Sequence, residues 1–312
     1  MTSTSELAPL STDPIKLWPI YLKLTGVALL WGGTFIAGHQ LSETLPPIVS
    51  AVSRFAVAAL LLALWLWKQE GKFPSLSLQQ FGAVCALGAT GIFAYNLFFF
   101  AALSELPASR TALLVSLNPI VTALLLGTLL GERLGIIRWI GIGLAFIGAA
   151  IIVSRGDLVG AFHDLSSAMG KGELFMMGGV FSWAAYTIIG RYALKGLSPL
   201  AATTYAAVAG LILLALFMSL NPPELKAQMF NWSNIASIFY LGALGTVIGF
   251  VWYYQGVQAI GPSRTSIFNN LVPVFGVVLA SILLKEPILS SMLIGGVLVI
   301  TGVAITNRGK LK

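Results

Sequence analysis

Charge is what this 312-residue chain has least of: 9% of its residues are charged, against about 25% in a soluble domain. That shortage excludes an ordinary water-soluble fold, because too little polar surface exists to cover one. Histidine and cysteine are scarcer still, at two and one. A single thiol cannot form an internal disulfide, and Cys85, inside an apolar run, reads as a small packing residue. Two histidines, one thiol and no carboxylate within an apolar run supply neither a metal set nor a nucleophile–base pair. No catalytic residue, metal or cofactor is therefore assigned, and the chain is read as a non-enzyme. A Walker-type phosphate loop is also missing, which leaves no nucleotide-driven motor.

What the sequence does have is apolar length. Hydrophobic residues make up 57% and mean hydropathy is +0.89. All eleven carboxylates (Glu6, Asp13, Glu43, Glu70, Glu105, Glu132, Asp157, Asp164, Glu173, Glu224 and Glu286) stand in the tail, in connections or at the edges of apolar runs. A charge at bilayer centre costs roughly 2.5–3.5 kcal/mol on insertion scales, so the spacing marks membrane spans of about 20 residues. Ten are expected, near 18–38, 48–67, 79–102, 108–130, 136–154, 172–190, 198–219, 234–258, 263–284 and 289–306. The fold class is all-α and polytopic. Lys23, inside the first run, is expected to snorkel to the interface. Residues 1–17 and 307–312 read as tails, the former without the regions of a signal peptide.

Net charge is +7, but the cations are scattered between apolar runs and form no patch for nucleic acid. They set orientation instead. With both termini in the cytoplasm, Lys16, Lys23, Lys68, Lys72, Arg133, Arg138, Arg191, Lys195, Arg264, Arg308, Lys310 and Lys312 lie inside, twelve in all. Five lie outside: Arg110, Arg155, Lys171, Lys226 and Lys285. This ratio predicts a cell inner-membrane protein with cytoplasmic ends.

The chain repeats itself. LGATG at 87–91 matches LGALG at 241–245, an offset of 154 residues. The same offset pairs Ser109-Arg110-Thr111 with Ser263-Arg264-Thr265, Pro119 with Pro273, Glu132 with Glu286, and Gly148 with Gly302. Earlier in each half an offset of 152 pairs Trp31 with Trp183, Gly38 with Gly190 and Pro47 with Pro199. Two five-helix units are expected, 18–154 and 172–306, joined by a linker at 155–171. Five is odd, so the second unit enters from the opposite side and the repeats are inverted.

A Pro in the fourth helix of each half, a Glu at its end and a Gly-rich fifth helix resemble the drug/metabolite transporter superfamily, in its EamA-type members. The motif residues are Ser109 to Thr111, Pro119, Glu132 and Gly148, with Ser263 to Thr265, Pro273, Glu286 and Gly302. The chain looks most like the YddG-type exporters of aromatic amino acids within that group. The resemblance implies a small-molecule transporter embedded in the lipid bilayer. Oligomeric state is left open, a monomer being compatible.

In such a protein the substrate site is expected at the midplane, between the halves. Trp31 and Thr34 share a face of the first helix, as Trp183 and Tyr186 do in the sixth. Tyr95, Phe98 and Phe99 in the third helix, and Trp252, Tyr253 and Gln255 in the eighth, stand among small residues. Each of these aromatics either borders a cavity or packs between helices. Ser116 and Asn118 precede Pro119, and Ser266, Asn269 and Asn270 precede Pro273, where an opened backbone offers carbonyls. Those polar groups either meet a substrate or bond the bent helices together. Arg54 is the one cation well inside a span, and it holds a substrate carboxylate or pairs with helix-end carbonyls or Glu43. His39 is a candidate gating group at the outer end of the first helix.

With no carboxylate relay at mid-membrane, facilitated movement by alternating access is the expected mechanism. Neutral or zwitterionic metabolites, amino acids among them, are the expected cargo, since phosphate carriers need more inward cations. The alternative is a multidrug or quaternary-amine exporter binding through cation–π contacts. A channel and a membrane-embedded enzyme remain as more distant rivals.

Overall fold

Apolar runs of this length close their backbone hydrogen bonds internally, because hydrocarbon offers no other partner. The computed structural model describes residues 14–129, 135–154, 156–157, 169–193, 196–226, 229, 231–260 and 268–308, and every regular element among them is helical. In the first half these are α1 (Pro14–Ser42), α2 (Pro47–Glu70), α3 (Leu78–Leu87), α4 (Tyr95–Leu103), α5 (Ala108–Val115), α6 (Asn118–Leu129) and α7 (Ile136–Val153). The second half has α8 (Lys171–Ala193), α9 (Pro199–Leu220), α10 (Trp232–Phe239), α11 (Gly249–Ile260), α12 (Leu271–Leu283) and α13 (Ser290–Arg308). α3 runs into α4 through a π-helical segment, Gly88–Ala94, and α10 into α11 through another, Tyr240–Ile248.

Among the described residues, six continuous helices are long and apolar enough to cross a membrane: Leu17–Ser42, Pro47–Glu70, Leu78–Leu103, Lys171–Gly190, Pro199–Leu220 and Trp232–Tyr253. Trp139–Ile152, Leu271–Leu283 and Ser290–Gly302 are apolar but shorter. The fourth run departs from the expected single helix, breaking at Ser116 and Leu117 between α5 and α6. Pro119 lacks the N–H that would close on the carbonyl of Val115. The ninth run is described only from Phe268, where a 3₁₀ turn to Asn270 leads into α12 ahead of Pro273. Most of the 155–171 linker, Glu132 and the Ser263–Thr265 triplet lie outside the described residues.

Local signals set several ends. Pro47 and Pro199, a repeat pair, each open a helix at its first position, where no amide donor is required. Ser77 and Gln80 form a capping box at the start of α3. Gly71, at φ 68°, stops α2 by donating its N–H to the carbonyl of Trp67 at 2.9 Å.

Neither half folds on itself alone. α1 packs on α11 and α12 of the second half, while α8 packs on α4 and α6 of the first. α2 lies against α9, and α7 against α13. Repeat-paired glycines make these crossings close. A Cβ on Gly88 would lie 2.9 Å from the carbonyl oxygen of Ala206, and one on Gly242 would lie 2.9 Å from that of Arg54. Positions 88 and 242 are one repeat apart, as are 54 and 206, so the two crossings are the same contact made twice. Gly148 and Gly302 do likewise between α7 and α13, each with a backbone oxygen 2.5 Å from such a Cβ. Outward, Leu60, Leu64, Ile212, Leu216, Leu293 and Val297 stand exposed, a surface suited to lipid and not to water.

Candidate functional site

The repeat brings its two tryptophans together at the centre. Trp31 of α1 and Trp183 of α8 meet edge to face, with ring centroids 6.5 Å apart. Trp31 Nε1 donates to the carbonyl of Gly245 at 2.9 Å, within the second π-helical segment. Phe250 lies 5.7 Å from Trp31 and 6.1 Å from Trp183, and Tyr95 lies 5.1 Å from Trp183 and stacks on Phe99 at 5.8 Å. These rings wall a cavity of about 770 Å³, counting its open mouth. Thr34, Phe35, Arg54, Val115, Ser116, Asn118, Asn269, Val272 and Pro273 complete the lining, so both halves contribute.

The polar side of the cavity comes from the two Pro-interrupted runs. Pro119 and Pro273 withhold the amides that would satisfy the carbonyls of Val115 and Asn269, and both those residues line the cavity. Asn118 Oδ1 is buried and accepts no hydrogen bond from a described residue. The Ser116 hydroxyl is committed to the carbonyl of Leu113, and that of Thr34 to Trp31 at 2.6 Å. Acceptors are thus available at this wall, which suits a ligand N–H.

Arg54 faces the cavity from α2, 7% exposed. It donates through Nε to Thr246 Oγ1 and through Nη1 to Asn96 Oδ1, both at 3.1 Å. Each acceptor is itself locked: Thr246 donates to the carbonyl of Leu241 at 2.8 Å, and Asn96 to that of Ile92 at 2.8 Å. Those carbonyls belong to the two π-helical segments. Pairing with Glu43 is not observed, since Glu43 is exposed while Arg54 turns inward.

One end of the bundle is closed by charge exchanged between halves. α5 starts after Pro107 without a side-chain cap of its own. Glu286 supplies one, accepting from the amides of Ala108 and Ser109 at 2.9 and 3.0 Å and from Ser109 Oγ at 2.5 Å. Lys285, at φ 56°, makes the left-handed turn that precedes it. Arg110 pairs with Glu173 of α8 at 2.6 Å, both side chains 5% exposed. His39 and Ser42 bond the carbonyl of Leu103 at the same end, at 3.0 and 2.9 Å. His39 is thus a helix-end clasp away from the cavity. Glu286, the motif carboxylate of the second half, thus caps a helix of the first.

Of the sequence candidates, Trp31, Thr34, Arg54, Tyr95, Phe99, Ser116, Trp183 and Asn269 come together around the cavity. Five others stand off its wall. Phe98 packs on Gly178, and Tyr186 covers Gly91, because a glycine opposite leaves room for the ring. Trp252 fills the equivalent space over Gly26, and Tyr253 backs Trp31 at 5.4 Å from outside. Gln255 accepts from Lys23 Nζ at 2.8 Å and borders a separate cleft with Glu70 and Ser198. Ser266 and the Asn270 side chain lie outside the described residues. Phe35, Phe250 and Val272 were not singled out from sequence; Phe250 carried a signal, as the repeat counterpart of polar Asn96.

The EamA-like transporter family matches residues 18–154 and again 170–308. The chain is similar to YyaM, an uncharacterised transporter of Bacillus subtilis, with 33% identity over 94% of each chain. It is 29% identical, over 84% of each, to a probable terminal-alkyne amino-acid exporter of Streptantibioticus cattleyicolor. YedA, an uncharacterised inner membrane transporter of Escherichia coli K12, shares 24% identity over 85% of this chain and 83% of its own. A crystal structure at 19% identity superposes with a TM-score of 0.65, covering 93% of this chain and 97% of that one, and so shares the fold. With two matched repeats spanning nearly the whole sequence, the chain belongs to the EamA-like transporter family, within the drug/metabolite transporter superfamily.

Proposed function

We propose that the chain exports small neutral or zwitterionic metabolites, amino acids with aromatic side chains among them, by alternating access around the central cavity. The observation that carries this reading is the cavity's division into a wall of rings and a wall of acceptors. Trp31, Trp183, Tyr95 and Phe99 match a planar apolar group, while Asn118 Oδ1 and the carbonyls ahead of the two prolines match an ammonium. The Streptantibioticus cattleyicolor relative, a probable terminal-alkyne amino-acid exporter, agrees with it.

In this reading ten spans form two inverted five-helix repeats with both ends in the cytoplasm. The end closed by Glu286 and Arg110–Glu173 then faces outward, and transport requires those contacts to release. No carboxylate lines the cavity among the described residues, so movement runs down the substrate gradient without obligatory proton coupling. Counterflow into proteoliposomes loaded with phenylalanine tests this. Labelled phenylalanine, tryptophan, methionine and threonine should enter transiently and saturably, with aromatic substrates ahead. Equal rates for all four, or rates no higher than empty liposomes, reject the amino-acid reading. The second reading, export of quaternary amines, draws on the same rings through cation–π contact. It must also seat a cation in a cavity that already holds Arg54.

A further inference from the structure

We infer that Arg54 is the carboxylate receptor of the cavity, so that the transported class is monoanionic at this end and decarboxylated amines are discriminated against. The inference rests on the amino-acid reading above and assigns the half of the ligand that the acceptor wall leaves unassigned.

A guanidinium carries five N–H donors. Arg54 uses one on Thr246 and one on Asn96, and Nη2 bonds to no described residue. Both partners are neutral, and among the described residues no carboxylate reaches the side chain. The guanidinium carbon also lies 5.3 Å over the Phe55 ring, but a cation so deeply buried without an anion is costly, and the natural relief is an anion that accepts the remaining donors. The planar fork suits a carboxylate in particular. If Arg54 served only to tie α2 to its neighbours, a neutral amide donor would do so without the burial of charge.

The surroundings hold Arg54 for this task. Asn96 and Thr246 accept from it because each gives its own proton to a carbonyl of a π-helical segment. One segment comes from each half, so the guanidinium is oriented from both sides. The repeat counterpart of Arg54 is Ala206, that of Asn96 is Phe250, and that of Thr246 is Ile92. The whole triad is lost in the symmetry-related place. A scaffold role would be expected twice, as the glycine crossings are; a receptor for one charged group is needed once.

Purified protein in detergent is titrated with phenylalanine, phenylalaninamide, phenethylamine and phenylpropionate, reading ligand-induced thermal stabilisation. Wild type should bind phenylalanine about 10- to 100-fold more tightly than its amide, the scale of hydrogen bonds to charged groups. Arg54→Gln should abolish that preference by weakening phenylalanine and leaving the amide unchanged, while Arg54→Lys should keep part of it. Thr246→Val, which removes a positioning contact, should lose a smaller part, restored by Thr246→Ser. Phenylalanine and its amide binding equally to wild type overturns the assignment even if Arg54→Gln does not fold. An unchanged preference in Arg54→Gln overturns it while leaving the amino-acid reading intact. Wild type that binds only phenethylamine overturns both.

Discussion

The two halves of this transporter share a scaffold and differ at the site. Where they cross, equivalent residues make equivalent contacts: Gly88 on Ala206 and Gly242 on Arg54, Gly148 and Gly302 on opposite backbones, Gly91 under Tyr186 and Gly245 against Thr34. Where they face the cavity, they part. Arg54, Asn96 and Thr246 stand against Ala206, Phe250 and Ile92. Packing must work in both halves, so duplication preserves it. A small asymmetric ligand needs its cation, its rings and its acceptors on particular sides, and there duplication was overwritten.

The contact that breaks most heavily should be the ion pair between halves. Glu173→Leu leaves the buried Arg110 without its carboxylate, a change worth about 3–5 kcal/mol in buried pairs. The protein should melt much earlier, and Arg110→Met added to it should recover most of the loss. A single variant melting like wild type would show that the pair contributes nothing to closing that end.

Next come the glycine crossings, which test symmetry directly. Gly88→Val and Gly242→Val each push a side chain into a backbone, and each should cost about 1–3 kcal/mol. Their melting temperatures should fall alike. Their affinities should not, because the carbonyl displaced by Gly242→Val belongs to Arg54. Equal loss of phenylalanine binding in both would erase the distinction between scaffold and site.

Trp31→Ala and Trp183→Ala probe the rings shared by both halves. An aromatic pair is worth about 0.5–1.5 kcal/mol beyond its buried area, so each should weaken aromatic amino acids by up to about tenfold in counterflow. Threonine transport should change less. Loss of all substrates in equal measure would assign the tryptophans to packing alone.

Much of this was legible in the chain, and the limits have physical causes. Apolar length and the placement of carboxylates gave the helices, and the offset repeats gave pairs that meet in space, such as Trp31 with Trp183. The prolines at 119 and 273 announced interrupted backbone, and α5 does end before the first of them. Depth within a helix pair was not legible. Trp252, Tyr186 and Trp31 sit on equally small-rich faces and each lies over a glycine, Gly26, Gly91 and Gly249 respectively, so spacing alone could not tell that Trp31 also reaches the cavity. Nor could Arg54 be given its partners, because Thr246 is 192 positions away and its availability depends on a π-helical turn.

The smallest expected effect concerns closure. Glu286→Gln keeps an acceptor at the start of α5 but removes the negative charge from a helix N-terminus, a loss of about 0.5–1 kcal/mol. That is too little to unfold the protein, yet it shifts any balance between closed and released states by roughly two- to fivefold. Leu106, 6% exposed and packed beside Gly172 at that end, offers a reporter once Cys85→Ala removes the native thiol. In this background, Leu106→Cys should react with a membrane-impermeant maleimide faster by that factor when Glu286→Gln is added. Glu70→Gln, which alters the clasp to Ser198 in the other cleft, should leave the rate alone. Equal acceleration by both would mean that Glu286 acts through general loosening, and that the closed end is not governed by the cap one half places on the other.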